Sequence, residues 1–156
     1  MKRRSKYPIV LLSLIALLAG FHAPAADSHL LWQVGKPDRG NAEFALAPGG
    51  YAKFQDDAFF IVGKSDAQKD WPYVQPGPYD AWAGSHAHTF TIVFGVSQTK
   101  SDGNCKLVFD LLDTQMQSPP KLQISINGTA FERQLPAGSG DASVGGEPAQ
   151  GKPYHF

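Results

Sequence analysis

The stretch Lys121–Leu135, KLQISINGTAFERQL, decides how the rest of the chain is read. Lys121–Ile126 alternates polar and apolar residues at period two, the pattern of a strand with one wet face and one buried face. Asn127-Gly128 follows, and then a second β-prone run. A two-residue type I′ turn needs positive φ at both central positions, and Asn-Gly is the dipeptide that tolerates this best. The expectation is a β-hairpin. The same residues spell the glycosylation sequon Asn127-Gly128-Thr129, which would need a eukaryotic secretory route; the turn alone accounts for them.

Working outward, Leu30–Gly35 (LLWQVG), Tyr51–Phe54, Phe59–Val62, Thr89–Val96 and Lys106–Leu112 read as further short strands, and another resumes at Pro153. Asp56-Asp57 and Asp102-Gly103 mark turns between them. Composition agrees: 16 glycines, 12 prolines and 12% aromatics, with only 18% charged residues, suit strands joined by tight turns rather than helices. A chain of 156 residues suits one domain. Seven or so strands in one antiparallel pattern make an all-β sandwich the expected fold class. The last strand stops on Phe156, which would leave a sheet edge unpaired, so a sandwich truncated at its C-terminus is expected.

The two ends of the chain differ chemically. Lys2, Arg3, Arg4 and Lys6 precede an apolar run from Ile9 to Phe21, followed by Ala23-Pro24-Ala25. This is the layout of a secretory signal peptide over residues 1–25, with a run too short for the roughly 20 residues that span a bilayer. The expected mature domain, residues 26–156, carries 10 basic and 14 acidic residues, and is secreted or periplasmic. That mild acidity argues against nucleic acid and against anionic membranes once the signal is removed. One cysteine rules out an intrachain disulfide framework and a multi-cysteine zinc site.

Gly63–Ser85 is a long segment with three prolines and no periodicity. Within twelve residues it gathers Trp71, Tyr73, Tyr79 and Trp82. Sugars present apolar C–H faces that pack on such rings, and Asp66, Asp70 and Asp80, with Lys64 and Lys69, are placed to hydrogen-bond hydroxyls beside them. The carbohydrate-binding candidates are therefore Trp71, Tyr73, Tyr79, Trp82, Asp70 and Lys64. The competing reading is that Trp71 and Trp82 plug the end of the sandwich while the prolines stiffen a connection.

Other chemistry is thinner. Pro37-Asp38-Arg39-Gly40 reads as a β-turn, with Arg39 and Glu43 able to form an ion pair or a ligand clamp. His86-x-His88 has a spacing compatible with a metal pair but lacks a neighbouring paired carboxylate. Ser85 beside His86 has no Gly-x-Ser-x-Gly elbow around it. Asp56-Asp57 in a solvated turn is the ordinary reading, and a structural calcium ion there has no further support, so no cofactor is expected. Cys105, opening an apolar strand, is expected to be a buried, inert thiol.

Several motifs carry a family resemblance. Trp32-Gln33-Val34-Gly35-Lys36-Pro37-Asp38-Arg39 and Ala42-Glu43-Phe44 resemble the opening of the third domain of family 4 polysaccharide lyases, the rhamnogalacturonan lyases. Phe60-Ile61-Val62-Gly63-Lys64-Ser65, Asp70-Trp71-Pro72-Tyr73, Ile126-Asn127-Gly128 and Asp141-Ala142-Ser143-Val144 continue the match in order, from about Leu31 onward. The resemblance implies a jelly-roll sandwich similar to galactose-binding and carbohydrate-binding modules. It also implies closing strands with a Gly-x-Asn turn and a Tyr-Asp pair, which this chain lacks. In those lyases the catalytic Lys and His lie in a preceding domain, so lyase activity does not follow from the resemblance.

The function expected is an exported carbohydrate-binding or accessory domain associated with degradation of a rhamnogalacturonan- or pectin-type polysaccharide, without a catalytic site of its own. Its expected partners are a polysaccharide or oligosaccharide and a catalytic domain or partner encoded downstream. The alternatives are a small secreted lyase or hydrolase using His86, His88 and nearby aspartates, or a module that only packs against a larger lyase.

Overall fold

The computed structural model describes residues 29–96, 104–139 and 144–145, with the backbone of 152–155. The signal segment, the Asp102-Gly103 turn and Asp141–Ser143 lie outside these residues. Among the described residues there are six short strands: β1 (Ala58–Ile61), β2 (Phe90–Val93), β3 (Val108–Leu111), β4 (Lys121–Ile126), β5 (Thr129–Gln134) and β6 (Lys152–His155). The helical content of the described residues is a single turn of α-helix, α1 (Ala67–Asp70), and two 3-10 turns at Tyr51–Lys53 and Ala81–Ala83. The architecture is strand-rich, as an all-β reading requires.

The hairpin forms as the alternation and turn chemistry dictate. Asn127 and Gly128 both have positive φ, 48° and 84°, so the two-residue turn closes directly onto the Ile126–Thr129 pair. Ile124 faces Phe131 and Leu122 faces Arg133 across the ladder. On the opposite face Gln123 Nε2 donates to Glu132 Oε1 at 2.7 Å, and Lys121 Nζ lies 2.5 Å from Glu132 Oε2. These contacts, the Lys121 bond first, hold the Glu132 carboxyl below its ordinary value.

The strands pair in twos rather than in one antiparallel array: β1 with β2, β3 with β6, and β4 with β5. The first pair is parallel, in the register Ala58↔Phe90 through Ile61↔Val93. This corrects the uniform antiparallel expectation. Parallel neighbours need a long crossover, and the 28 residues between Ile61 and Phe90 supply it. The Pro-rich segment is that crossover.

Two expected strands take other forms. In the expected strand Tyr51–Phe54, residues Tyr51–Lys53 form a 3-10 turn that Phe54 caps, its N–H donating to Tyr51 O. The chain doubles back just before it, with Gly50 N–H bonded to Leu46 O; a Cβ on Gly50 would fall 2.5 Å from that oxygen. Leu30–Gly35 is irregular, anchored by the Trp32 ring 5.2 Å from Phe94. Neither run has a strand partner among the described residues, and β propensity alone does not hold an unpaired strand.

The core forms where the crossover lies on the chain before β1. Phe54, Val74 and Ala83 are its buried centre, with Leu46, Tyr51, Tyr73, Trp82, Phe90 and Val144 packed around them. A smaller buried site ties the exits of β3 and β5 together. There Thr114 Oγ1 donates to Pro136 O, and Asp113 Oδ1 accepts from Ser139 N–H. Cys105 is exposed, which corrects the buried-thiol expectation: β3 begins only at Val108, so Cys105 precedes the paired region.

Phe54 is 6% exposed and touches three aromatic rings. Phe54→Ala should therefore cost about 3–5 kcal/mol, a large part of the stability of a domain this size. Phe131, 51% exposed on the hairpin, should cost under about 1 kcal/mol on the same change. Urea denaturation of both variants checks the contrast. Equal losses would show that the hairpin face is covered.

Candidate functional site

The four aromatic candidates of the crossover occupy different environments. Trp71 is half-buried under the β1–β2 pair, edge-on to Phe60 at 6.0 Å and to Phe90 at 5.8 Å. Trp82 packs edge-on against Tyr51 at 5.2 Å and Phe54 at 6.5 Å, as part of the core. Tyr73 also faces the core, and its hydroxyl donates to Val144 O. Burial is the main influence on that phenol and pushes its titration up. Tyr79 is 83% exposed. The structure thus separates an exposed Tyr79 from three rings engaged in packing.

The charged candidates sit around α1. Asp66 caps it, accepting from Gln68 N–H at 3.0 Å, with Lys69 Nζ 3.3 Å from its other oxygen. The Gln68 bond first, and then Lys69, hold the Asp66 carboxyl below its ordinary value. Asp70 Oδ2 accepts from Asp66 N–H at 2.8 Å. Asp80 similarly closes its own turn, accepting from Gly77 N–H at 2.7 Å. Lys64 lies exposed in the turn after β1.

An open groove of about 310 Å3 runs beside this cap, at the low end of small-ligand clefts, about 300–1,000 Å3. Three separate stretches line it: Ala45-Leu46, Lys53–Phe59, and Lys69-Asp70 with Pro72. Of the sequence candidates, Asp70 and Lys69 reach it. Phe59, which points away from the core on β1 and is 55% exposed, is the exposed ring of its lining, with the buried Phe54 behind. Lys53, Asp56 and Asp57 complete its charged lining.

The groove walls are fixed by main-chain bonds. Ala45 N–H is shared between Ala67 O and Trp71 O, both at 2.9 Å, and Ala45 O accepts from Tyr73 N–H at 3.1 Å. Asp57 Oδ1 accepts from Thr89 N–H at 2.8 Å, joining the residues just before β1 and β2. Sequence reasoning missed Phe59 and Lys53. A signal for Phe59 did exist: in AFFI one of two adjacent phenylalanines must face outward from a period-two strand.

The histidines sit behind that carboxylate. His88 has a fully buried side chain; Nε2 lies 2.9 Å from Ala83 O and so carries the hydrogen. Its Nδ1 makes no hydrogen bond and lies 3.7 Å from Asp57 Oδ1. The His86 ring packs against it at a tilt of 41°, with centroids 4.2 Å apart. No group of three His, Cys, Asp or Glu among the described residues is placed to hold a metal ion. At the other turn, Asp38 accepts from Gly40 N–H at 2.8 Å and Glu43 from Lys36 N–H at 2.7 Å, so both carboxylates organise backbone.

These features define a small β-rich domain with an open polar groove that has the exposed Phe59 in its lining. The family model described as polysaccharide lyase family 4, domain III, CBM-like, matches residues 30–149. The chain belongs to this family, and an all-β, carbohydrate-binding-module-like fold fits the strand-rich structure. No curated protein and no solved structure matches the chain.

Trp71→Ala should lower the melting temperature, because the ring fills space between Phe60 and Phe90, whereas Tyr79→Ala should leave it unchanged. Thermal scans of the two variants check this. The α1 cap has a pH signature as well. A carboxyl held below its ordinary value of 3.8 stabilises the fold fully above that value and loses its effect as pH falls through the lower folded value. Asp66→Ala should thus lower the melting temperature at pH 7, and the gap from the parent should close as pH drops below 3.8.

Proposed function

We propose that this protein is an exported carbohydrate-binding accessory domain of a polysaccharide-degrading system, with no glycan-cleaving site of its own. Family membership is the single observation that carries the reading. The groove supports it: its walls are fixed by main-chain hydrogen bonds, so little ordering is needed on binding, and an exposed ring lies beside carboxylates and lysines. A jelly-roll arrangement of the galactose-binding type is the fold this reading entails. The signal-peptide layout of residues 1–25 supports secretion or a periplasmic location, with a mature start near Ala26. A rhamnogalacturonan- or pectin-type polymer is the proposed ligand, and a lyase catalytic domain the proposed partner.

The chemistry of the histidines favours binding over cleavage. The His88 imidazole is buried between Ala83 O, Asp57, His86 and Phe54, where a scissile bond has no access. Incubation of the purified chain with rhamnogalacturonan should therefore generate no unsaturated ends, while affinity electrophoresis in the same polysaccharide should show retardation. Turnover abolished by His86→Ala would reverse the assignment. Mass spectrometry of the exported protein should show a chain beginning near Ala26; Met1 through Ala25 still attached would remove the export proposal.

A further inference from the structure

We infer that the groove beside α1 takes a neutral sugar residue, stacked on Phe59 with its hydroxyls donating to Asp56, Asp57 and Asp70, and that it discriminates against uronates. The inference rests on the carbohydrate-binding reading and adds the place and the chemical class of the ligand.

Charge carries the argument first. The lining holds three carboxylates and two lysines, and Lys69 is already paired with Asp66 outside the lining. The groove thus presents an excess of negative charge. A sugar carboxylate brought against Asp56, Asp57 and Asp70 meets like charge, whereas a hydroxyl donates its proton to an ionised acceptor, the stronger kind of hydrogen bond. Acceptor capacity is free for this. Among the described residues Asp57 Oδ2, Asp70 Oδ1 and both oxygens of Asp56 accept no hydrogen bond, while Asp57 Oδ1 and Asp70 Oδ2 are tied to Thr89 N–H and Asp66 N–H. Two of the three carboxylates are therefore anchored by one oxygen and open at the other.

Shape and rigidity carry it second. Phe59 alternates outward between the buried Ala58 and Phe60, so its ring is held by a strand whose other face is packed. Asp57 and Asp70 are each held through one oxygen by a backbone N–H, that of Thr89 at 2.8 Å and that of Asp66 at 2.8 Å. The acceptors and the ring thus sit on elements fixed before any ligand arrives, and a C–H face on Phe59 brings equatorial hydroxyls to the groove edge.

Galactan and polygalacturonate test this directly, because their sugars share the galacto configuration and differ at C6, a hydroxymethyl group in one and a carboxylate in the other. Arabinan and mannan serve as further neutral probes. The purified chain should be retarded by at least one neutral polymer and not by polygalacturonate, with neutral binding little changed by salt. Phe59→Ala should weaken neutral binding roughly tenfold, the effect of losing one well-packed ring, and Asp56→Asn should weaken it without changing the melting temperature. The exposed Asp56 side chain makes no hydrogen bond or ion pair among the described residues, so its variant remains informative if Phe59→Ala is unstable. Preference for polygalacturonate, lost in Lys53→Ala, would overturn the neutral-sugar assignment and leave the carbohydrate-binding reading standing. Neutral binding unchanged in both Phe59→Ala and Asp56→Asn but lost in Tyr79→Ala would move the site to the crossover tip. Binding to none of the four polymers would overturn the neutral-sugar assignment, and the absence of retardation by rhamnogalacturonan as well would overturn the carbohydrate-binding reading.

Discussion

Packing of the Phe54 ring is the contact on which the rest of the structure depends. Trp82 comes to it from the crossover, Phe90 from the start of β2, and His88 from the residues just ahead of that strand. A parallel pair cannot be closed by a tight turn, so β1 and β2 register only if the intervening chain returns and finds something to pack on. Phe54 provides that surface immediately before β1. The apolar area removed from water offsets the entropy of ordering a segment that has almost no regular secondary structure.

The groove follows from the same packing. Once Trp82, Val74 and Tyr73 turn inward, α1 and its flanks are pressed against the Ala45 segment, and three main-chain bonds at Ala45 fix the distance between them. The side chains left outside are Lys69, Asp70 and the outward Phe59. In this domain the residues best suited to touch a ligand are those excluded from the core by strand alternation and helix capping. The aromatics grouped most densely in the sequence are mostly those that build the core.

The histidine pair shows how burial changes the meaning of a motif. His86-x-His88 in an extended chain would offer two imidazoles to solvent or to a metal. Here one ring is fully buried with Nε2 bound to Ala83 O, and the other packs tilted against it. His88 instead joins Thr89 in framing Asp57 at the junction of the two parallel strands.

Local information determined the hairpin in full: alternation in Lys121–Ile126 and two positive-φ residues at Asn127-Gly128 leave one register in which the apolar residues share a face. The same kind of information located β1, β2, β3 and β6 to within a few residues, and the family resemblance placed the chain among CBM-like domains. It could not tell that Tyr51–Lys53 would coil into a 3-10 turn, because that depends on Gly50 approaching Leu46 O. Nor could it sort Trp71, Tyr73, Tyr79 and Trp82 into packed and exposed rings. An aromatic-rich segment without periodicity carries no record of which face is inward; that is set by contacts with Phe54, Phe60 and Phe90, which are distant in sequence or on other elements. Only the tertiary structure decided that Trp71 and Trp82 pack, that Tyr79 stays exposed, and that Phe59 faces the groove with Asp70.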